Sequence, residues 1–374
     1  MQFRKLGKTG KEISALGFGA MRLPTRGKET DVDESAAIEV IRHAIDRGVN
    51  YIDTAYPYHG GHGERVVGKA LEDGYREKVY IATKSPIWQV EKFDDFSRIF
   101  DEQCARLNVD YIDFYLVHCV QAPFWPKMQE LRVFEWAERA QADGRFGEFG
   151  FSFHDRFEFF KEVVDAYDWR FCQIQYNFVN EDVQAGAQGL KYAAEKGLGV
   201  IIMEPLFGGT LANPPDPVRE IWQAAGRKPA DVALRWLWDK PEVSFVLSGM
   251  NRIGQVDENV ETAGRAGVGQ FSDEERQLVS RVQEKYKELS PIPCTKCGYC
   301  LPCPHGVNIP LNIELYNSAT LFKGNPSALC RNLYHGLPAS EQAKACQACG
   351  TCEERCPQGI EIGKLMVEVA ETFR

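Results

Sequence analysis

Eight cysteines in the last quarter of this 374-residue chain form two compact runs. The first run, CTKCGYCLPC, has a cysteine at every third position, and the second, CQACGTCEERC, ends with a wider spacing. Thiolates grouped this tightly are ligands for soft metals and iron–sulfur clusters, whereas disulfides are rare in reducing compartments. The runs therefore predict metal or cluster binding by Cys294, Cys297, Cys300, Cys303, Cys346, Cys349, Cys352 and Cys356.

A second set of reactive side chains follows apolar runs in the first third of the chain. Asp53 follows VNYI, Lys84 follows VYIAT, and His118 follows IDFYLV. Tyr58 comes one short loop after the first of these runs. A carboxylate, an ammonium, an imidazole and a phenol can together orient a polar substrate and transfer a proton to it. They can do so only if the fold brings them to one place.

The elements that would bring them together are eight apolar runs between about residues 13 and 263. Such runs, alternating with amphipathic helical stretches, are typical of parallel strands buried on both faces. They predict an α/β fold of the (β/α)8 TIM-barrel class, and no Gly-x-Gly-x-x-Gly motif supports an open doubly wound sheet. In a parallel barrel the carboxyl ends of all strands share one face, so the four side chains should converge. The runs are SALGFGA, VNYIDT, VYIATK, IDFYLVH, GEFGFS, FCQIQYN, GVIIME and SFVLSG.

Both ends of the chain extend this plan. The segment FRKLGKTGKEIS predicts a hairpin that caps the bottom of the barrel. Helical stretches near residues 253–263 and 272–288 precede a proline-marked boundary, SPIPC. We therefore expect a barrel domain over residues 1–289 and a cysteine-rich domain over residues 290–374, helical between its two cysteine runs.

The motifs YIDTAYPY, IATK and YLVH, in this order on the second to fourth predicted strands, resemble the signature of the aldo-keto reductases. The resemblance covers roughly residues 1–285 and implies an oxidoreductase that reduces a carbonyl with NAD(P)H. It also implies that Asp53, Tyr58, Lys84 and His118 form a catalytic tetrad. Tyr58 would protonate the carbonyl oxygen, helped by an ammonium that lowers the tyrosine pKa. The carboxylate would keep that ammonium charged, and the imidazole would orient the substrate.

The same resemblance implies a nucleotide site, with departures from the family pattern. Where the family has a stacking aromatic residue this chain has Met203, and a thioether packs on a ring less specifically. The basic positions that hold an adenosine 2′-phosphate are Gly249 and Gln255, which leaves Arg252 as the nearby cation in sequence. Strong NADPH preference is therefore in doubt, and NADH, FMN or FAD stay open. The implied cofactor residues are Ser152, Gln173, Met203, Gly249, Glu258 and Asn259.

The second cysteine run fits the Cys-x-x-Cys-x-x-Cys-x-x-x-Cys-Pro pattern of bacterial ferredoxins, and the module resembles an α-helical, two-cluster ferredoxin. The resemblance implies two 4Fe-4S clusters, each held by three cysteines of one run and the last cysteine of the other. Cys356 would complete the first site and Cys303 the second. The first run departs from the pattern, because only two residues precede Cys303, so its crossed pairing stays open. Structural zinc, the alternative, needs cysteine pairs set further apart.

Hydride chemistry and cluster chemistry have to be combined in one chain, because a nicotinamide releases two electrons together while a cluster accepts one. The leading hypothesis is nicotinamide-dependent carbonyl reduction with clusters that exchange electrons. A flavin that splits the electron pair, a redox partner such as an external ferredoxin, and a non-enzymatic redox or iron sensor are the alternatives. Aromatic residues in the predicted loops SPIWQV and CVQAPFWPKM suggest an apolar or cyclic substrate.

Charge and hydropathy disfavour other classes. A net charge of −9 argues against nonspecific binding to nucleic acid or to anionic membranes. No apolar run approaches the ~20 residues of a membrane span, and the N-terminus lacks a signal-like segment, so we expect a cytoplasmic protein. The segment GFSFHD places Ser152, His154 and Asp155 together, but neighbours in sequence rarely reach the geometry of a hydrolytic triad.

Overall fold

The computed structural model describes residues 1–292, 294, 298, 300–320, 328–356 and 358–374. Two compact units divide the chain: the first comprises residues 1–207 and 228–273, and the second comprises residues 208–227 and 274–374. The predicted domain boundary between residues 289 and 290 stays a prediction. Cys297, one of the expected ligands, lies outside the described residues.

The first unit is a closed barrel of eight parallel strands, which confirms the predicted fold class. The last strand pairs with the first, Val246 opposite Leu16, so the loops that follow these two strands are neighbours. The barrel strands are β3 (Leu16–Gly19), β4 (Tyr51–Asp53), β5 (Tyr80–Pro86), β6 (Ile112–Val120), β7 (Phe146–Phe153), β8 (Phe171–Gln175), β9 (Gly199–Met203) and β10 (Phe245–Ser248).

The predicted N-terminal hairpin is confirmed, with β1 (Phe3–Lys5) antiparallel to β2 (Glu12–Ser14). Its residues Leu6 and Ile13 are fully buried and join the hydrophobic filling of the barrel. At Gly199 a Cβ atom would lie only 2.2 Å from a side-chain carbon of Leu6, so only glycine permits this close approach. The hairpin therefore closes the amino end of the barrel.

Helices follow most strands, and the first helix carries the expected capping signals at both ends. In the first helix the side chain of Asp33 accepts a hydrogen bond from the backbone of Ala36, and Gly48 follows its end at φ 94°. In chain order the helices are α1 (Glu34–Asp46), α2 (Gly63–Ala70), α3 (Asp94–Leu107), α4 (Trp125–Glu130), α5 (Val133–Ala142), α6 (Phe157–Asp165), α7 (Gly186–Glu195), α8 (Asp216–Ala224), α9 (Pro229–Trp238), α10 (Ile253–Ala263), α11 (Asp273–Leu289), α12 (Ile309–Thr320), α13 (Ala328–Gly336), α14 (Thr351–Glu354) and α15 (Ile362–Thr372).

Two strands run further than the polar residues in them suggest. We expected Lys84 and His118 to end their strands, but β5 continues to Pro86 and β6 continues to Val120. The ladder between the two strands pairs Pro86 with His118, so backbone pairing extends past the polar positions. Both side chains consequently come from within strands rather than from loops.

The second unit is helical and has its own core. Its buried cluster includes Ile309, Ile313, Met366 and Phe373, drawn from α12 and α15 and the end of the chain. This agrees with the helical structure expected between the cysteine runs. Among the described residues of either unit, no helix is long and apolar enough to cross a membrane.

Candidate active site and cysteine cluster

Three of the four predicted catalytic side chains project into the barrel, one layer above its hydrophobic filling. Alternate residues of a strand point to the same side, so a residue two positions after an interior residue is also interior. Asp53, Lys84 and His118 follow, by two positions each, the filling residues Tyr51, Ala82 and Leu116. The strands therefore deliver all three groups to the carboxyl end of the barrel.

Lys84 is the centre of the site. Its Nζ donates hydrogen bonds to Oδ1 of Asp53 at 2.5 Å, to the backbone oxygen of Thr54 at 2.8 Å, and to Oη of Tyr58 at 3.4 Å. Lys84 is 1% exposed and Asp53 is 4% exposed. A buried charge of either sign would be costly alone, so each of the two groups depends on the other.

The loop after β4 delivers Tyr58 to the same place. It turns through left-handed backbone at His59 and Gly60, with φ of 54° and 65°. The buried ring of His59 anchors the turn, because its two nitrogens lie 2.7 and 3.1 Å from backbone carbonyl oxygens. The ring of Tyr58 meets that of His118 edge-on, with centroids 5.9 Å apart. The structure thus brings all four predicted catalytic residues together.

One nitrogen of the site has no partner of its own. Among the described residues, Nδ1 of His118 is buried and makes no hydrogen bond. An unpaired buried polar atom costs free energy, and a bound molecule with a polar group can relieve that cost. The indole of Trp88 lies beside the same ring, at 5.2 Å between centroids, and is partly exposed. An apolar surface therefore borders the polar site, as the aromatic loops suggested.

Burial and charge set the protonation states. Burial raises the pKa of Tyr58, and the opposing effect of the Lys84 ammonium is smaller. The expectation that Tyr58 has a lowered pKa is therefore wrong, because burial raises the pKa by more than Lys84 lowers it. Burial is the largest single effect on Lys84 and acts to lower its pKa, but the charges and hydrogen bonds of Asp53 and Tyr58 together outweigh burial, so the pKa is raised. Burial and the nearby ammonium hold the pKa of His118 well below its usual value, so this imidazole is neutral at pH 7.

We expect two residues, Gln173 and Ser152, at the nicotinamide. In the structure their side chains form hydrogen bonds with other groups of the site. Gln173 donates from Nε2 to Oδ2 of Asp53 at 2.6 Å, so it holds the carboxylate oxygen that Lys84 does not bind. The hydroxyl oxygen of Ser152 accepts a hydrogen bond from the backbone of Cys119 at 2.8 Å. Both side chains lie at the carboxyl end of the barrel, and nucleotide binding by them stays a prediction.

The segment GFSFHD does not form a hydrolytic triad. His154 lies 3.2 Å from the amide oxygen of Gln184, and Asp155 accepts from the backbone of Ala122 at 2.8 Å. The Ser152 hydroxyl contacts neither of them, since its hydrogen-bond partner is the backbone amide of Cys119. Burial lowers the pKa of His154 to about 4, so this ring is a neutral, enclosed residue at pH 7.

The residues expected to bind the rest of the nucleotide lie at the ends of β9 and β10 and on α10. Met203 is the last residue of β9 and is half-buried. The buried amide of Asn259 donates to the hydroxyl of Ser248 at 3.2 Å. The exposed carboxylate of Glu258 accepts from Lys228 at 3.0 Å. These contacts position the start of α10 and do not test nucleotide binding.

A cation that the sequence analysis missed lies beside this helix start. A Cβ atom at Gly249 would lie 3.0 Å from the side chain of Arg22, which belongs to the loop after β3. Arg252 directly precedes α10. The neighbourhood therefore includes two arginine residues where the sequence suggested one. Barrel closure is the signal that could have found Arg22, because the first and last strands must be neighbours.

Cysteines of both runs lie close together in the second unit. No disulfide joins any two of the cysteines that the structure describes. Cys303 and Cys346 pack against the buried hydrophobic cluster that contains Cys352, so the last cysteine of the first run lies near the second run. Burial raises the pKa of Cys352 to about 11, with further upward contributions from Cys346 and Cys303. Hydrogen bonds with Thr351 lower the pKa of the exposed Cys349 thiol.

The cysteines of both runs belong to one packed region. Within the described ranges, no three histidine, cysteine or acidic side chains are grouped as ligands of a single metal ion. The thiols that bind a cubane are further apart, because each of them binds a different iron atom. Cys294, Cys300, Cys303, Cys346 and Cys356 pack against the buried cluster that contains Cys352, so cysteines of both runs lie in the same neighbourhood.

Comparison with known families assigns both parts of the chain. The aldo/keto reductase family profile matches residues 15–283. The chain belongs to the aldo/keto reductase family. A 4Fe-4S dicluster domain profile matches residues 293–361 of this aldo/keto reductase. The protein is therefore an oxidoreductase with a barrel of the family type and a 4Fe-4S domain after it.

Individual relatives cover the barrel part of this aldo/keto reductase. The chain is 30% identical to L-galactose dehydrogenase from Arabidopsis thaliana, over 70% of this chain and 87% of the relative. It is 27% identical to aldo-keto reductase YhdN from Bacillus subtilis, over 71% of this chain and 89% of the relative. The structure of aldo-keto reductase AKR11C1 from Bacillus halodurans matches with a TM-score of 0.64 at 25% identity, over 75% of this chain and 96% of the other.

Proposed function

We propose that this protein reduces a small carbonyl compound with NAD(P)H and that Tyr58 is the proton donor. The supporting observation is the enclosed contact between Tyr58 Oη and Lys84 Nζ at 3.4 Å, with the ring of His118 beside it. Carbonyl reduction develops negative charge on oxygen, which needs hydrogen bonds and then a proton. A bound reduced nicotinamide supplies the hydride for this chemistry.

The protonation states in the site give each residue a role. Tyr58 is a neutral phenol at pH 7 and can donate its proton to the carbonyl oxygen. Lys84 is charged and stabilises the phenolate that remains. His118 is neutral, so it can donate one hydrogen bond to the substrate oxygen while its other nitrogen accepts. Asp53 holds the lysine in place and charged.

Replacing Tyr58 by Phe tests this proposal. We expect kcat for carbonyl reduction to fall about 10²- to 10⁴-fold, the usual contribution of a positioned acid. Binding of NAD(P)H, followed by fluorescence titration, should not change. The control is Tyr75→Phe, which removes a surface hydroxyl that donates to Asp46. Unchanged turnover in the Tyr58 variant would disprove the assigned role.

We assign the nucleotide to the carboxyl end of the barrel, across the neighbouring ends of β3 and β10. Arg22 and Arg252 supply positive charge there, and a guanidinium binds phosphate oxygens in a fixed fork geometry. These two cations support a dinucleotide, and NADPH over NADH if the guanidinium of Arg22 reaches a 2′-phosphate.

For the second unit we propose two 4Fe-4S clusters with crossed ligands. Cys346, Cys349 and Cys352 would hold one cluster together with Cys303, which packs against the same buried cluster as Cys352. The other cluster takes Cys356 and the first three cysteines of the first run. Each cluster accepts or donates one electron when bound, so the pair suits exchange with a one-electron partner such as a ferredoxin.

Protein prepared without air tests the clusters. We expect about eight irons per chain and broad visible absorption, as two cubanes imply. Cys303→Ser should lower the iron content by up to half, whereas Cys330→Ser, outside both runs, should not. A flavin band in the same spectrum would favour the flavin alternative. Equal iron content in both variants would rule out the crossed pairing.

The substrate and the setting are proposals of the same kind. Trp88 beside His118 supports an apolar or cyclic carbonyl compound. The 4Fe-4S domain supports a reducing compartment, the cytoplasm. A panel of aromatic, cyclic and linear aldehydes and ketones checks the substrate class. Silence toward the whole panel, with intact clusters, would instead favour a redox sensor.

A further inference from the structure

A buried polar network lies on the outer side of β5, behind Lys84. The carboxylate of Glu64, in α2, is completely buried. Its Oε1 accepts hydrogen bonds from the hydroxyl of Thr83 at 2.6 Å and from Nε2 of Gln103 at 2.8 Å. Thr83 directly precedes Lys84, and the strand alternation turns the two side chains to opposite faces. The network is therefore separated from the active site by one strand.

The same network reaches the backbone on both sides of the catalytic contact. Nε2 of Gln103 also donates to the backbone oxygen of Lys84 at 3.1 Å. Nη1 of Arg106 lies 3.2 Å from Oε2 of Glu64 and 3.2 Å from the backbone oxygen of Tyr56. Tyr56 is two residues before Tyr58, on the loop that carries the proton donor. One helix, α3, thus hydrogen-bonds to both segments.

The helices around this network are closely packed. A Cβ atom at Gly68 of α2 would lie 2.6 Å from the backbone oxygen of Leu107, at the end of α3. The phenol of Tyr115 on β6 donates a hydrogen bond to Oε1 of Gln103 at 2.7 Å, so both the oxygen and the nitrogen of this amide have partners. The network is a continuous hydrogen-bonded link among α2, α3 and β5.

We propose that Glu64, Thr83 and Gln103 are positioning residues that set the separation between Lys84 and Tyr58. This inference rests on the proposed carbonyl reduction and extends it to residues that do not touch substrate. The contact that they control measures 3.4 Å, near the outer limit of a hydrogen bond, so a small displacement breaks it. Misplacement of reacting groups by about 1 Å can lower a rate about 10²-fold.

Thr83→Val tests the proposal, because valine has the shape of threonine without the hydroxyl. We expect kcat to fall about tenfold or more, with KM changed less than twofold, since the groups that bind ligands stay in place. Thr83→Ser restores a hydroxyl and should recover most of the rate. Gln103→Leu is an independent variant that removes both the contact with Glu64 and that with the Lys84 backbone.

The matched control is Ser97→Ala, also on α3. It removes the hydroxyl that accepts from Nε1 of Trp136 at 2.9 Å, on a contact that does not involve β5. It should lower stability to a similar extent and leave kcat unchanged. A loss of rate in this control equal to that in Thr83→Val would mean that helix stability alone matters, and the positioning role would be wrong.

A second measurement does not depend on turnover. The ring carbon signal of Tyr58, identified in protein with labelled tyrosine by its absence in Tyr58→Phe, reports the ionisation of the phenol. Because Lys84 lowers the pKa of Tyr58, a longer contact in Thr83→Val should reduce the ionisation constant about tenfold. An unchanged titration together with an unchanged kcat would overturn the inference. If wild-type protein reduces no carbonyl, the proposed function fails, and this titration still decides the positioning role.

Discussion

The pocket around Lys84 and the cysteine-rich unit surround their reactive side chains in different ways. In the pocket, the ammonium of Lys84 has three oxygen partners within 3.4 Å and almost no exposure. In the second unit, Cys349 is exposed, and its thiol has a hydroxyl neighbour at 3.6 Å. The pocket groups compensate one another, whereas the exposed thiol of Cys349 has a weak protein partner. In the pocket, opposite charges and hydrogen bonds stabilise the polar groups before any ligand binds. Thiols that bind a metal are stabilised by the metal itself.

Removal of iron should have the largest effect, because we expect it to unfold the second unit and to leave the barrel folded. We expect chelation under reducing conditions to unfold much of the second unit, because its ligand binding is part of its folding free energy. The barrel should keep its own thermal transition, since its pocket needs no metal. Calorimetry with circular dichroism checks both regions at once. Loss of both transitions together would show that the barrel also depends on the clusters.

Breaking the ion pair between Lys84 and Asp53 should have the next largest effect. Lys84→Met leaves the carboxylate of Asp53 buried without its cation, and we expect a loss of about 3–5 kcal/mol in the free energy of unfolding. Turnover should be abolished in the same variant. The double variant Lys84→Met with Asp53→Leu should regain most of the stability and none of the activity. Urea unfolding and steady-state kinetics measure the two effects.

A smaller effect tests the nucleotide end of the pocket. We expect Arg22→Ala to raise KM for NADPH about tenfold, equivalent to about 1.4 kcal/mol, and to leave KM for NADH nearly unchanged. Arg26→Ala is the control on the same loop, because that guanidinium pairs with Asp33. Equal effects on the two nucleotides would show that Arg22 does not meet the 2′-phosphate.

The last prediction is a pH dependence of stability that accumulates gradually. Burial lowers the pKa of His154 to about 4, so below about pH 6.5 the unfolded chain binds a proton that the folded chain does not. Stability should therefore fall by about 1.4 kcal/mol per pH unit for this group between about pH 6.5 and 4, and the contribution of this group should be constant above that window. His154→Asn should reduce the slope without abolishing it, because the pKa of His118 is lowered as well. Urea unfolding of both proteins at several pH values measures the slope.

How much the sequence predicts differs between the two regions for a physical reason. Ligand cysteines for clusters are close in sequence, so their spacing is visible without a fold. The four pocket residues are far apart in sequence, and the periodicity of the strands was enough to predict that they converge. The link from Gln173 to Asp53 was not predicted, because it depends on which strands face each other across the barrel.

Other features could not be predicted from the sequence, because they depend on the balance between burial and polar interactions in the folded chain. The net pKa of Tyr58 depends on burial, which opposes the lysine and cannot be summed from residue types. The network of Glu64, Thr83 and Gln103 consists of polar residues in elements that look amphipathic, where such side chains are usually exposed. Arg22 could have been found, since a closed barrel places the first and last loops side by side.

The hairpin at the amino end of the barrel has a consequence for turnover. Leu6 and Ile13 fill that opening, and Gly199 leaves no gap behind Leu6. Within the described residues the amino end of the barrel is therefore filled, and the carboxyl end is the end that can receive ligands. In the proposed reaction the carbonyl substrate and the alcohol product then use the same end, so we expect accumulated product to compete with incoming substrate.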